Sequence, residues 1–259
     1  MSVELGLLHP DGGLQMGIVL WIAGVFLLAG GIKGIVGVGL PTVAIVLLAP
    51  TLGLPAAMAL LVVPTLVTNV WQALVGGEAG STFRRIWPFL VAAALTVWVG
   101  AGALTRVHLS YLTALLGVVL IAYSLISLLG LRVSVRPDLE RPVGIAAGLL
   151  NGMVTGMTGS FVMPGLIYLQ ALGLSRNQLI QAMGMLFSSS SLTLTLSLAD
   201  RGIMTSSLGI GSMIGLVPAL IGLALGQSVR NRLPEKTFRR LFFGALLAAG
   251  ALILVRSLG

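Results

Sequence analysis

The sequence predicts an all-α polytopic membrane protein, because it is rich in apolar residues, poor in charges and apolar in runs along its whole length. Of its 259 residues, 57% are apolar and 8% are charged, and cysteine is absent. The mean hydropathy is +1.07. A soluble domain carries about 25% charged residues, so this composition excludes a soluble enzyme, a disordered chain and a disulfide scaffold. Recurring apolar runs are typical of a chain that crosses the membrane several times.

Ten apolar segments are predicted, five before and five after a basic, proline-bearing linker at 131–142. The first two are interpreted as half-length helices, because one helix over 17–49 would be about 50 Å long against a hydrocarbon core of about 30 Å. Glycines and Pro41 within this stretch disfavour a continuous helix. Each half is therefore predicted to hold a glycine-broken helical hairpin followed by three transmembrane helices. The segments lie near 17–32, 35–49, 56–76, 86–105, 109–130, 143–154, 157–172, 178–199, 203–227 and 238–255.

The net charge of +8 is interpreted as a topology signal, because Lys and Arg mark the cytoplasmic loops of membrane proteins. With ten segments and the N-terminus outside, 11 of the 14 basic residues in loops lie on the cytoplasmic side, including the cluster at 230–240. Eight single crossings would split them evenly, whereas re-entrant hairpins fit as well as full crossings. The sequence thus predicts a multi-pass protein of the cell inner membrane with both termini outside, in contact with the lipid bilayer and with no nucleic-acid partner.

The two halves of the chain resemble each other. Residues 34–54 and 152–174 both open with a glycine-rich break, contain a proline and end in Leu-Gly-Leu. Five segments per half is an odd number, so the predicted N-terminal repeat (1–131) is followed by a C-terminal repeat (142–259) of inverted orientation. Inverted repeats with interrupted helices in corresponding places indicate a secondary transporter with a midplane site. The alternative is that two membrane segments rich in Gly and Leu are alike in composition only.

A glycine break of the form Gly-x-x-Gly-x-Gly, a proline shortly after it and a closing Leu-Gly-Leu resemble the TauE/SafE sulfite exporter family. The resemblance spans nearly the whole chain and is specific at the two breaks. In the commoner family pattern the first break continues into further glycines, whereas here Leu40–Pro41 follow it, and the second break runs into Ser160–Phe161. The resemblance implies export of sulfite or a small organosulfonate across the bacterial inner membrane, with the exact anion left open.

Lys33 is the strongest single candidate for a substrate contact. A lysine at the bilayer centre costs about 2.5–3.5 kcal/mol on insertion scales. All seven carboxylates of the chain fall in or beside predicted loops, so an anionic substrate would supply the missing countercharge. Protonation of Lys33, or of the substrate, would then be a route to proton coupling. The alternative is that Lys33 extends its ammonium to the membrane surface.

The tips of the broken helices are a second candidate, because a helix N-terminus carries partial positive charge and free N–H groups. One helix is predicted to start near Gly37 to Pro41 and its counterpart at Thr158 to Ser160, whose hydroxyls would donate further hydrogen bonds. The alternative is that the glycines only allow tight helix packing.

A polar stripe on the third segment is the last candidate. Its residues are spaced 0, 3, 4 and 7 and share one face of a helix. Counting 120 residues on from Thr68 and Asn69 gives Ser188 and Ser189. Such a face lines the bundle interior or a cavity, or it joins helices to each other through Ser and Thr. The stripe consists of Thr65, Thr68, Asn69 and Gln72.

These observations predict a secondary transporter that works by alternating access, with an anion channel of the same architecture as the alternative. An intramembrane enzyme is not expected, because the sequence lacks cysteine, buried carboxylates and metal-ligand spacing. No cofactor or metal is expected, the expected partner is a small sulfur oxyanion, and a homodimer is compatible with the sequence. The expected substrate-binding residues are Lys33, Gly34, Gly37, Gly39, Thr65, Thr68, Asn69, Gln72, Asn151, Gly156, Thr158, Gly159, Ser160, Ser188 and Ser189.

Overall fold

The computed structural model describes residues 15–75, 77–131, 133–230 and 235–258. Within these ranges the chain is helical with short connections and contains no strand. Short 3₁₀ turns follow α4 at Gly102–Thr105 and precede α6 at Pro137–Leu139. The α-helices are α1 (Met16–Val36), α2 (Leu40–Leu52), α3 (Leu54–Leu74), α4 (Ala79–Ala101), α5 (Leu109–Leu129), α6 (Glu140–Thr158), α7 (Gly165–Ala171), α8 (Arg176–Asp200), α9 (Ser206–Arg230) and α10 (Glu235–Leu258).

Seven helices of the described ranges are long and apolar enough to cross a membrane: α1, α3, α4, α5, α8, α9 and α10. Helix α2 is a shorter apolar helix. The prediction of an all-α, multi-pass membrane protein is therefore confirmed. Residues 1–14 and most of the basic cluster at 230–240 lie outside the residues whose side chains are described. The side of the membrane on which each terminus lies stays a prediction.

The first glycine break separates α1 from α2 at residues 37–39. Gly37 and Gly39 have φ angles of 88° and 114°, in the left-handed region that suits glycine. Pro41 then lies in the first turn of α2, where its missing N–H costs no helical hydrogen bond. The break is as predicted, but the expectation of two half-length helices is wrong for α1, which has 21 residues. Its glycines at 30, 31 and 34 stay helical because α9 packs against them.

The second break lies later than the sequence predicts. Helix α6 continues to Thr158, and Gly159, with a φ of 70°, ends it by donating its N–H to the Thr155 carbonyl. The chain is irregular from there to Pro164, and α7 is only seven residues long. The expectation that Thr158, Gly159 and Ser160 begin a helix is therefore wrong, since the left-handed glycine makes this stretch a helix end.

Glycines bring two helix pairs into backbone contact, α1 with α9 and α6 with α4. A Cβ atom at any of four glycines would overlap a carbonyl oxygen of the facing helix, so the helices approach as closely as small residues permit. Helices α3 and α5 pack on α8 and α10, respectively. The facing residues are Gly30 with Ala219, Gly34 with Leu223, Gly152 with Ala93, and Gly156 with Val97.

An ion pair joins α4 to the start of α6 at one end of the bundle. The Arg85 guanidinium donates to both carboxylate oxygens of Glu140, at 2.6 and 3.0 Å, and to the Leu172 carbonyl at 2.9 Å. The hydrogen bond from Arg85 holds the pKa of the Glu140 carboxyl below its usual range. The two halves of the chain are thus connected across the end where α4 and α6 begin.

Candidate functional site

Lys33 lies in the last turn of α1 and only 3% of its surface is exposed. A cation in this position is favoured by the partial negative charge at a helix C-terminus. Its ammonium donates to the Thr68 hydroxyl at 3.0 Å and to the Asn69 amide oxygen at 2.5 Å, both on α3. The structure therefore brings three of the predicted site residues together, and Lys33 does not reach the surface.

Hydrogen bonds within α3 orient both partners of Lys33. The Thr68 hydroxyl donates to the Pro64 carbonyl, and the Asn69 amide nitrogen donates to the Thr65 carbonyl, each at 2.7 Å. The Asn69 oxygen therefore points to the ammonium. The Thr65 hydroxyl is fully buried and has no hydrogen-bond partner in the described part of the chain.

No carboxylate neutralises Lys33 within the described ranges, where the ion pairs involve Asp138, Glu140 and Asp200. A lysine ammonium has three donors, and the two hydrogen bonds above use two of them. A buried charge is costly unless it is paired with an opposite charge. The arrangement is suited to accept one small anion beside the ammonium.

Three side chains on one face of α6 form hydrogen bonds with the backbone of the second break. Asn151 accepts from the Gly165 N–H at 2.9 Å, Thr155 donates to the Ser160 carbonyl at 3.0 Å, and Thr158 accepts from the Ser160 N–H at 3.2 Å. The Asn151 amide nitrogen is buried without a partner. The Asn151 side chain thus fixes the start of α7 with its oxygen and leaves two N–H donors unused.

The predicted site glycines divide into two groups. Gly34 and Gly156 lie at the helix pairs described above, where they allow close packing. Gly37, Gly39 and Gly159 adopt left-handed conformations at the breaks. A Cβ on Gly159 would lie 2.5 Å from Ile45 of α2 and 2.7 Å from Met58 of α3, so the second break touches the first hairpin.

The remaining predicted residues lie apart from the Lys33 hydrogen bonds. Gln72 donates to the Ile180 carbonyl at 3.0 Å and joins α3 to α8. Ser188 and Ser189 line a groove between α3, α4 and α8, a surface that includes neither Thr68 nor Asn69.

Two serines that the sequence analysis missed contact α3 next to Pro64. Ser191 of α8 donates to the Val62 carbonyl at 3.2 Å, and Ser212 of α9 accepts from the Val63 N–H at 3.0 Å. Ser190, beside Ser191, is fully buried and its hydroxyl has no described partner. The interior serines of α8 are therefore two residues later than the 120-residue spacing predicts. The run of four serines at 188–191 was the sequence signal that could have identified them.

A family model described as Sulfite exporter TauE/SafE matches residues 22–253. The chain belongs to this family. The match includes both glycine breaks, Lys33 and all of α2 to α9, so the residues described above lie within the matched range. No curated protein and no solved structure matches the chain.

Members of the TauE/SafE family are membrane transporters and not enzymes. Family membership and the seven apolar helices together make the protein a multi-pass membrane transporter of the sulfite-exporter type.

Proposed function

We propose that the protein exports sulfite or a small organosulfonate by alternating access, with the anion bound beside Lys33. The observation that carries the proposal is a buried ammonium whose described partners are both neutral. A substrate oxyanion would provide the countercharge that the chain lacks there. Because charge-assisted hydrogen bonds are stronger than neutral ones, the anion would compete well for the ammonium.

Two further donors support an oxyanion in preference to a halide. The unpaired Thr65 hydroxyl and the unpaired Asn151 amide nitrogen are both fully buried, and each would gain a hydrogen bond from a substrate with several oxygens. Leaving such groups without a partner costs about 1–3 kcal/mol each. We therefore propose that Lys33 and Thr65 donate to the anion, that Thr68 and Asn69 hold the ammonium through their oxygens, and that Asn151 is the donor contributed by the second break.

The proposed inverted duplication rests on matching contacts in the two halves. The packing glycines 30 and 34 of α1 precede those of α6, 152 and 156, by 122 residues, and the helix-ending glycines 37 and 159 have the same spacing. Each first helix packs on the fourth helix of the other half, α1 on α9 and α6 on α4. Such crossed, equivalent packing supports two copies related by a pseudo-two-fold axis, the arrangement used for alternating access.

Sulfite flux into proteoliposomes tests the proposal, with sulfate, sulfoacetate and thiosulfate as competitors and with and without a pH gradient. Lys33→Met keeps the length of the side chain and removes its charge, and should lower the flux about tenfold or more, since a charged hydrogen bond contributes about 1.5–3 kcal/mol. Arg106→Met is the matched control, because Arg106 is exposed.

Wild-type flux in folded Lys33→Met would remove Lys33 from the site. A sulfite flux that does not saturate with sulfite concentration would favour the alternative, an anion channel of the same architecture, over the carrier. Saturable flux of other anions without sulfite flux would leave the architecture and change the substrate.

A further inference from the structure

An open groove of about 370 Å³ lies between α3, α4 and α8 on the outside of the bundle. Its lining is nearly all apolar, apart from Ser188 and Ser189. The Ser189 hydroxyl donates to the carbonyl of Leu186, and the Ser188 hydroxyl is buried without a described partner. A groove between membrane-spanning helices that offers almost no polar groups is suited to a hydrocarbon chain.

The length of the groove matches the depth of one leaflet. On α4 it extends from Phe83 to Ala94, which is about 16 Å along a helix at 1.5 Å per residue. Half of a hydrocarbon core of about 30 Å is about 15 Å. Val70, Leu74, Phe83 and Val91 on its walls are all exposed, so an acyl chain has direct access from the bilayer.

Two arginines lie at the end of the groove where α4 and α8 begin. Arg84 follows the lining residue Phe83, and Arg176 is the first residue of α8. The Ser175 hydroxyl donates to the Glu78 carboxylate at 3.0 Å, which places the starts of both helices at the same end. Arg84 and Arg176 are exposed and take no part in the ion pairs of the described ranges.

We propose that this groove binds one acyl chain of an anionic phospholipid, whose headgroup phosphate is held by Arg84 and Arg176. Basic residues near a membrane surface attract anionic lipids by about 1 kcal/mol each. The apolar walls bind the acyl chain and the two arginines attract a negatively charged headgroup, so the site should prefer an anionic to a zwitterionic lipid. This inference is independent of the anion site at Lys33, whose partners Thr68 and Asn69 do not line the groove.

Native mass spectrometry of the detergent-solubilised protein tests the proposal, with phosphatidylglycerol or phosphatidylcholine of identical acyl chains added. The wild type should retain phosphatidylglycerol preferentially. Arg84→Gln and Arg176→Gln should each reduce that preference about fivefold, the factor that corresponds to about 1 kcal/mol. Ala94→Trp should fill the groove and remove retention of both lipids.

The controls are Arg106→Gln, an exposed arginine outside the groove, and Leu95→Trp, which adds the same ring at a position that is 65% exposed and does not line the groove. Both should retain lipid like the wild type. Equal retention by all variants, or equal loss in Ala94→Trp and Leu95→Trp, would overturn the proposal. So would a dimer that Ala94→Trp dissociates with unchanged lipid retention, since a second copy of the chain would then occupy the groove.

Discussion

The ammonium of Lys33 on α1 donates a hydrogen bond to the amide oxygen of Asn69 on α3, and both side chains are buried. The nitrogen of the same amide is held by the Thr65 carbonyl, so the oxygen faces the lysine in a fixed orientation. Asn69 thus occupies the place that a carboxylate would take in a buried ion pair. A neutral acceptor in this place leaves the positive charge of Lys33 available to a ligand.

Asn69→Asp should abolish most anion transport, because it gives Lys33 a permanent countercharge. Sulfite flux in proteoliposomes is expected to fall about tenfold or more, since close opposite charges in a buried site are strongly coupled. Asn69→Ala is the control, because it removes the acceptor without adding a charge and should retain more flux than Asn69→Asp. If Asn69→Asp transports sulfite as fast as Asn69→Ala, the charge of Lys33 is not what binds the anion.

Gly34→Ala should destabilise the protein, because its methyl group would overlap the Leu223 carbonyl oxygen on α9. Overpacking of this kind costs about 1–3 kcal/mol, and the thermal midpoint in detergent should fall. Gly24→Ala, on the same helix with nothing within 4 Å of the added atom, should unfold at or above the wild-type temperature, since alanine favours helix over glycine. Equal midpoints for the two variants would mean that α1 and α9 are not in backbone contact.

Gly159→Ala should be more destabilising than Gly37→Ala, although both residues have left-handed backbone conformations. Strain at such a position costs about 1–3 kcal/mol for a residue other than glycine. A Cβ on Gly37 meets nothing within 4 Å, whereas one on Gly159 meets Ile45 and Met58. Thermal unfolding of the two variants measures the difference, and a Gly37→Ala variant less stable than Gly159→Ala would contradict the contact between the second break and the first hairpin.

Glu140→Gln should lower the thermal midpoint at pH 7 and make the midpoint less sensitive to acid. Arg85 lowers the pKa of Glu140 in the folded state, so this carboxylate stabilises the fold above its unfolded pKa of about 4.3 and ceases to do so as the pH falls through the lower folded value. The thermal midpoint of the wild type should exceed that of Glu140→Gln at pH 7, and the gap should close in acid. A gap that is constant from pH 7 to about pH 3 would assign the stabilisation to packing and not to charge.

The sequence correctly predicted the number of helices and pointed to Lys33, a buried lysine whose described partners are neutral. Low charge and recurring apolar runs predicted the ten helices of the described ranges, and the absence of nearby carboxylates singled out Lys33. Its partners Thr68 and Asn69 were found as a stripe of helical spacing, because that periodicity is a local property of α3.

The details that failed depend on contacts between distant segments. Gly30 and Gly34 suggested a break because glycine weakens an isolated helix, but α9 packs on them and keeps α1 continuous. The 120-residue spacing used to relate the two halves, which is also the spacing of the Leu-Gly-Leu motifs, led to Ser188 and Ser189. The packing glycines are 122 residues apart, however, and the interior serines are Ser190 and Ser191. Helix α7 is six residues shorter than α2, and the connections before and after it are each three residues longer than their counterparts, so the Leu-Gly-Leu spacing differs from that of the flanking helices. Sequence motifs alone do not reveal such local changes, or which glycines face another helix.

The crossed pairing of α1 with α9 and of α6 with α4 has a consequence for how such a protein can move. In each pair, glycines lie against carbonyl oxygens of the facing helix with no space for a side chain between them, so we expect each pair to move as one rigid unit. In the proposed alternating-access cycle, the units that move against each other would therefore each combine helices from both halves of the chain. A chain cut in the linker would give two fragments that each lack the surface on which their own first helix rests.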